Sequence, residues 1–460
     1  MSNPHLDKFM ASFPFVGLTF DDVSLVTQYA DFLPHESDIT SRFSRNVPLN
    51  IPFVSAAMDT VTQSRMAIAL ALMGGIGVVH KNQDADKQAE EVLRVKHYLN
   101  GLIADPVVFR KGMKVSDVLA IKAKSNYQFS GFPIVDERDR LVGILTARDV
   151  KFLTSHDVLV EEVMTTELVV GKLGTTTAEA LDVMRRHRVG KLPIVDERGR
   201  LAGLYSFQDV KSITENSDQG FNRDAKHQLR VAAAVGVDDA ERVDAVVRAE
   251  VDAVVVDTAH GHSKGVIEEV RRIKRLYGVD VVAGNVATGE AALALVKAGA
   301  DAIKVGIGPG SICTTRVVAG VAAGADCVMM GSVLAGTDDS PGERILHQGR
   351  TYVTYRGMGS MDAMKAAAGA RERYSQGHIT DPDELVPQGI EGLVPYRGRV
   401  TDVLHQYVGG LRFALGYCGT RTVRELQERG QFVRVTSAGL QEAHPHGVKV
   451  IKDAPNYPTR

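Results

Sequence analysis

The run Gly306-Ile307-Gly308-Pro309-Gly310-Ser311-Ile312-Cys313-Thr314-Thr315-Arg316 sets one cysteine in a glycine-dense turn, directly after the apolar stretch Ala302 to Val305. Glycine tolerates φ > 0 and close backbone approach, so such a loop can aim several amides and carbonyls at one small volume. A thiol held there can be lowered in pKa and act as a nucleophile. The competing reading is a buried, inert cysteine. The Gly, Ser and Thr neighbours of Cys313 argue against it, because a core position wants apolar ones.

The elements that position this loop have to be found in a chain of 460 residues, too long for one ordinary core, so two domains are expected. With 44% hydrophobic and 24% charged residues the chain reads as a globular protein. Its formal charge of −2 gives no reason to expect nucleic acid or a membrane surface as the main partner. The three cysteines, Cys313, Cys327 and Cys418, share no metal-type spacing and fit a reducing compartment. Met1 to Phe15 lacks a basic stretch followed by a long apolar one, and no apolar run reaches membrane-spanning length. A cytoplasmic protein is expected.

An internal duplication interrupts the sequence. Gly131-Phe132-Pro133-Ile134-Val135-Asp136-Glu137-Arg138 followed by Leu141 to Leu145 and Thr146-Ala147-Arg148-Asp149-Val150 is echoed by Lys191-Leu192-Pro193-Ile194-Val195-Asp196-Glu197-Arg198, Leu201 to Tyr205 and Ser206-Phe207-Gln208-Asp209-Val210. Each copy reads as strand, polar turn, strand and helix start, preceded by an amphipathic helix at Val115 to Lys124 or Thr177 to His187. From Pro106 to Ile213 the chain resembles a CBS-domain pair. In that family the Thr/Ser-x-x-Asp at the second strand's end contacts adenine-nucleotide ribose, which Thr146 with Asp149 and Ser206 with Asp209 match. Plain helix capping by the same residues is the other reading.

Outside this insert, strands and helices alternate. Ile51 to Ala57, Gly75 to His80, Val231 to Val235, Ala253 to Asp257, Asp280 to Gly284, Ala302 to Val305 and Cys327 to Met330 read as strands. Helical patterns fall at Met66 to Met73, Glu241 to Arg248, Val266 to Tyr277 and Glu290 to Lys297. Apolar strands alternating with amphipathic helices imply a parallel, doubly covered sheet. An α/β fold of the TIM-type (β/α) barrel class is expected, with its site at the strand C-termini. Seven strands are one fewer than a closed barrel uses. Between the twin turns Ala298 to Asp301 and Ala323 to Asp326 the glycine loop takes most of the chain, and Val317 to Ala322 is too short for a crossover helix. One βα unit, roughly 30–40 residues, is expected to be absent.

Taken together, the Cys loop, the duplicated insert and the barrel pattern make the chain similar to the inosine-5′-monophosphate dehydrogenase / GMP reductase family. Further matching segments are Ser55-Ala56-Ala57-Met58-Asp59-Thr60-Val61-Thr62, Gly284-Asn285-Val286, Met330-Gly331-Ser332, Tyr355-Arg356-Gly357-Met358-Gly359-Ser360 and Val386-Pro387-Gln388-Gly389-Ile390-Glu391-Gly392. After its Cys loop the family carries another helix and a strand ending in Ala-Asp-Gly-Gly. There the Asp holds the nucleotide ribose and a following Gly the phosphate. This sequence runs from Gly320-Val321 to Ala322-Ala323-Gly324 and has neither residue.

The resemblance implies oxidation of IMP to XMP in guanine-nucleotide biosynthesis, with NAD as cofactor. Cys313 would be the nucleophile that forms a covalent thioimidate, and Thr315 would position water. Arg373 and Tyr374 match a mobile-flap pair in which the arginine is a general base. Nucleotide contacts fall on Met58, Ser311, Gly331, Ser332, Tyr355, Gly357, Met358, Gly359 and Gln388. NAD contacts fall on Asp257, Thr258, Ala259, Asn285, Gly306, Ile307 and Gly308, although Asp257 could instead cap the helix starting near Ser263. A monovalent cation, K⁺, would be held by Gly308, Gly310 and Cys313 with Glu442, Ala443 and His444 of a neighbouring subunit, which implies a homotetramer. Adenine or guanine nucleotides would be effectors at the insert. The expected organisation is barrel over 1–103, CBS pair over 104–213, and barrel with flap and C-terminal segment over 214–460. Two alternatives accompany this reading. GMP reductase shares the barrel and Cys loop but lacks the Arg-Tyr flap, and a regulatory form with impaired turnover would follow from the missing unit.

Overall fold

The computed structural model of the protein describes residues 3–12, 16–98, 102–103, 106–124, 131–215, 220–306 and 320–442. Seven parallel strands form its main sheet: β1 (Phe53–Ser55), β2 (Ile76–Val79), β3 (Ala232–Val235), β4 (Ala253–Asp257), β5 (Asp280–Val286), β6 (Ala302–Val305) and β7 (Val328–Met330), in the order β6-β5-β4-β3-β2-β1-β7. Each strand is where the apolar pattern places it. The helices between them, Ser64–Leu72, Ala240–Arg248, Lys264–Leu276 and Gly289–Ala298, match the amphipathic runs within two residues.

Alternation along the strands sorts the side chains onto two faces. Ala233, Val235, Val254 and Val256 meet an outer layer that includes Val243, Val266, Val270 and Ile273 of the covering helices. Ala232, Ala234, Ala253 and Val255 instead enter an inner cluster with Val54, Ile76, Val78 and Val282, against which Ala302 of β6 and Met329 of β7 also pack. Residues of all seven strands, both edges included, thus share one interior, so the sheet curls as a barrel does. Yet β6 pairs only with β5, and β7 only with β1, among the described residues. Among the described residues the sheet thus has seven strands, one fewer than a closed barrel, and the gap falls between β6 and β7.

A hairpin, Ser41–Ser44 with Val47–Leu49, closes the inner cluster from below through Phe43, Val47 and Leu49. It is pinned by Asp280 at the N-terminal end of β5, which accepts hydrogen bonds from Ser44 Oγ at 2.6 Å and from Asn46 N and Nδ2 at 2.8 Å each.

A second compact unit covers residues 97–219 and 225–228. Its halves repeat in detail. Gly131–Val135 pairs with Leu141–Thr146, and Lys191–Val195 with Leu201–Ser206, both antiparallel and both with a bulge after the same isoleucine, Ile134 or Ile194. In each turn one aspartate, Asp136 or Asp196, accepts the amides two and four residues on and the arginine at the fourth. The two turns meet: Leu141 N donates to Gly199 O at 3.1 Å and Leu201 N to Asp139 O at 3.4 Å. In the main unit, buried Lys96 bonds Asp224 at 3.0 Å and Asp252 at 2.7 Å, tying the residues where the chain leaves for this unit to those where it returns.

Burial would raise the Asp280 carboxyl, but the hydrogen bonds from Ser44 and Asn46 outweigh it and hold the group below its ordinary value. A depressed native pKa stabilises above the unfolded value and stops doing so as pH falls through the native one. Asp280→Ala is accordingly expected to lower the urea-unfolding free energy by ~1–3 kcal/mol at pH 7. The difference from the unsubstituted protein should shrink below about pH 4.

Candidate active site

The C-terminal ends of β1 and β7 lie side by side, with Ala56 N donating to Met330 O at 2.9 Å. Here Gly331 has no room for a side chain: an added Cβ would sit 3.2 Å from both Met58 Sδ and the Tyr355 hydroxyl. Tyr355 lies on the strand Arg350–Arg356, the centre of a three-stranded antiparallel sheet with Arg344–His347 and Glu391–Pro395. Burial raises the Tyr355 pKa, so its hydroxyl keeps its proton and can donate. Ser332 opens the short helix Ser332–Ala335 beside them.

The chain after Tyr355 turns back over this floor. Gly357 N donates to Ile390 O at 3.0 Å, and Gly359 O accepts from Gln388 N at 2.9 Å and Gly389 N at 3.0 Å. The Gln388 side chain is exposed. Buried Met358 belongs to a small cluster on which Met58 and Tyr374 also pack. The Tyr374 ring covers Gly359, where a Cβ would come within 2.7 Å of the ring. A buried brace supports the whole: Arg356 grips Asp59 through Nε at 3.2 Å and Nη2 at 2.7 Å, and Asn82 Nδ2 donates to the same carboxylate at 2.7 Å.

The ends of β4, β5 and β6 form a second half. Thr258 donates to Gly284 O through N at 3.0 Å and Oγ1 at 2.9 Å, and Asn285 N donates to Thr258 O at 2.9 Å. Asn285 Nδ2 donates to Gly306 O at 2.9 Å, while Asn285 Oδ1 is buried without a partner. Asp257, 2% exposed, is ion-paired to Lys304 at 2.7 Å and to Arg373, whose carbonyl accepts from Ala259 N at 3.1 Å. Burial draws Lys304 down to about 8 and lowers Arg373, but with Asp257 beside them both remain cations near neutral pH. The segment Arg373-Tyr374 thereby joins the two halves, with Arg373 on Asp257 and Tyr374 on Gly359.

Most residues singled out from sequence thus meet at one end of the barrel: Met58, Gly331, Ser332, Tyr355, Gly357, Met358, Gly359 and Gln388 on one side, Asp257, Thr258, Ala259, Asn285 and Gly306 on the other, and Arg373 with Tyr374 between. Cys313, Thr315, Ser311, Ile307, Gly308, Gly310, Ala443 and His444 lie outside the described residues. Glu442 ends the exposed helix Ser437–Glu442. The helix cap once open to Asp257 belongs to Ser263. In the second unit Asp149 Oδ2 accepts from Thr146 N and Oγ1 at 2.7 Å each, which is the capping arrangement, while buried Ser206 precedes the helix Phe207–Glu215, whose first turn holds Asp209. Lys304, Asp59, Asn82 and Lys81 were not read as site residues. A lysine inside the apolar run Ala302 to Val305 is the available signal, because an ammonium among apolar neighbours needs a counter-charge.

The residues fit a pyridine dinucleotide on two observations. The orphaned Asn285 carbonyl oxygen requires a donor, which a carboxamide or ribose hydroxyl provides. Asp257 is a buried carboxylate at a strand end, held by one cation from a sheet strand and one from a short helix outside the sheet.

The IMP dehydrogenase / GMP reductase domain matches residues 17–323 and 320–446, and the chain belongs to this family. The match breaks at residues 320–323, between β6 and β7. Inosine-5′-monophosphate dehydrogenase of Halalkalibacterium halodurans is 46% identical over 96% of this chain and 98% of its own length. That of Aquifex aeolicus is 47% identical over 96% and 97%. The first alignment runs over 483 positions, more than the 460 residues of this chain, so the relative carries residues with no counterpart here. Among solved structures, a cysteine-to-alanine variant of GMP reductase from Trypanosoma brucei in complex with guanosine 5′-monophosphate is similar at 34% identity and a TM-score of 0.81, over 95% of this chain and 99% of that one.

Because Arg356 holds Asp59 with a two-nitrogen fork, Arg356→Lys is expected to recover little of what Arg356→Met loses. Both should destabilise the protein by ~3–5 kcal/mol, since a buried carboxylate is left poorly paired. Chemical unfolding of the two variants checks this, and a fully stable lysine variant would exclude the fork.

Proposed function

We propose that the protein is an NAD-dependent IMP dehydrogenase that converts IMP to XMP through a covalent intermediate on Cys313. The observation that carries this reading is the docking of Arg373-Tyr374 between the two halves of the site, on Asp257 and Gly359. The Cys313 thiolate would add to C2 of the purine. The C2–H electron pair then leaves as hydride, which bound NAD⁺ is there to accept. Water, positioned by Thr315, would attack C2 of the resulting thioimidate and break the C–S bond, its proton passing to the departing Cys313 sulfur while the Arg373 cation faces the developing charge. The purine would lie among Met58, Met358 and the backbone of Gly357 to Gly359, with Ser311 and Gln388 beside it. Its phosphate would meet Gly331, Ser332 and the Tyr355 hydroxyl. Asn285 and Asp257 to Ala259 would hold the nicotinamide riboside, together with Gly306 to Gly308.

Since Arg373 sits on Asp257, the flap and the dinucleotide ribose compete for one carboxylate. Oxidation, with the dinucleotide bound, and hydrolysis, with the flap docked, are thereby separated in time. The proposal extends to K⁺ at Gly308, Gly310 and Cys313 with Glu442 to His444 of a neighbouring subunit, to a cytoplasmic homotetramer, and to a CBS pair over 104–213 taking adenine or guanine nucleotides at Thr146, Asp149, Ser206 and Asp209. GMP reduction is the second reading, favoured by the likeness to the trypanosomal GMP reductase and opposed by the flap pair.

Purified protein with IMP and NAD⁺ is expected to produce NADH, and Cys313→Ala to abolish it. NADH that survives the substitution excludes the thiol mechanism, and turnover of GMP with NADPH alone would support the reductase. The strand missing between β6 and β7 removes the ribose-binding Asp that the resemblance implies. One lost charge-assisted hydrogen bond weakens binding by about 1.5–3 kcal/mol, so the KM for IMP should exceed that of the Halalkalibacterium relative by roughly ten- to a hundred-fold. Grafting that relative's extra segment after Gly320 should reverse the deficit.

A further inference from the structure

The helix Ala368–Arg373 lies across the C-terminal end of β3, and its last two residues reach opposite ways. Arg373 goes to Asp257 at the end of β4, and Glu372 goes to Lys81 just after β2, with Glu372 Oε2 to Lys81 Nζ at 3.8 Å. The floor between them is Gly236. A Cβ there would lie 3.1 Å from Lys81 Nζ, 3.3 Å from Glu372 Oε2 and 3.4 Å from Asp239 Oδ2. Contact is close along the rest of the helix as well. A Cβ on Gly369 would be 2.4 Å from Lys81 O, and Ala370 N donates to Asn82 Oδ1 at 3.1 Å. Lys81 has only 4% of its side chain exposed, whereas Glu372 has 42%. The ammonium is therefore set in the barrel rim, and the carboxylate sits on the helix above it.

We propose that Lys81 and Glu372 are positioning residues that latch the Ala368–Arg373 helix down, so that Arg373 can reach Asp257 only while this second ion pair is closed. Two adjacent residues anchored to two different strand ends fix both the height and the rotation of a helix too short to hold itself. Opening the latch releases Asp257 for the dinucleotide. The charged groups facing Lys81 are Glu372 and Arg373 from this helix and Asp239 and Arg242 from the segment after β3. Burial brings Lys81 down to about 8, so its charge, and with it the latch, fades as the pH rises through that value.

Hydrogen–deuterium exchange of the peptide covering 368–376, in the full-length protein without nucleotide, tests the latch. Glu372→Gln and Lys81→Met should each raise exchange there by roughly two- to fivefold, as befits a half-exposed pair. The reversed pair Lys81→Glu with Glu372→Lys should restore at least part of the protection. In the unsubstituted protein the protection factor should fall between pH 7 and 9, and in Lys81→Met it should not. Unchanged exchange in Glu372→Gln, or a pH profile that survives Lys81→Met, overturns the proposal. The same variants should bind NAD⁺ more tightly, whereas mere structural damage would weaken binding. That last arm rests on the dehydrogenase reading and the exchange arm does not, so failure of one is distinguishable from failure of the other.

Discussion

A carboxylate with 2% exposure cannot stay ionised without partners, and Asp257 is the point on which this site turns. Its two cations differ in kind. Lys304 comes from β6, two strands away in the sheet, with 16% of its side chain exposed, while Arg373 ends a six-residue helix outside the sheet. A carboxylate held by one fixed and one removable cation can exchange the latter for ribose hydroxyls without ever standing bare. Losing both partners would cost several kcal/mol, whereas trading one is nearly balanced. On the proposed reading, this asymmetry lets a single position serve both half-reactions.

The same end of the barrel survives the loss of a strand because its described parts come from other strands. One half of the site, where the proposal puts the nucleotide, is built on β1 and β7 with the antiparallel sheet, and the other, proposed for the dinucleotide, on β4, β5 and β6. The described chain stops at Gly306 and resumes at Gly320. Val321 and Ala322 are already back in the core beside Leu404 and Leu426. The edges of β6 and β7 each keep one pairing neighbour and share the inner cluster, so the curl is retained by packing rather than by a closed ladder of hydrogen bonds.

Much of this was legible in the sequence. Short apolar runs such as Ala232 to Val235 and a helical spacing such as Val266, Val270, Ile273 placed all seven strands and the helices between them. The absent unit showed as chain length too short for a crossover. Met58, Gly331, Tyr355 and Asp257 were found because short motifs keep their residues adjacent. Pairings between distant segments were not legible. Nothing in Glu372 or Lys81 alone announces a partner some 290 residues away, and Lys304 differs from a surface lysine only by sitting in a short apolar strand. For Thr146 and Asp149 the local capping geometry satisfies the motif by itself, which a sequence cannot weigh against ligand binding.

Calorimetric titration of NAD⁺ into the protein and into Arg373→Ala addresses the shared carboxylate most directly. If Asp257 serves the flap and the dinucleotide in turn, removing the flap's cation frees it, and the variant binds NAD⁺ several-fold more tightly. Equal or weaker binding in a folded variant would mean that Arg373 and the dinucleotide do not compete, and the account of the site would fall.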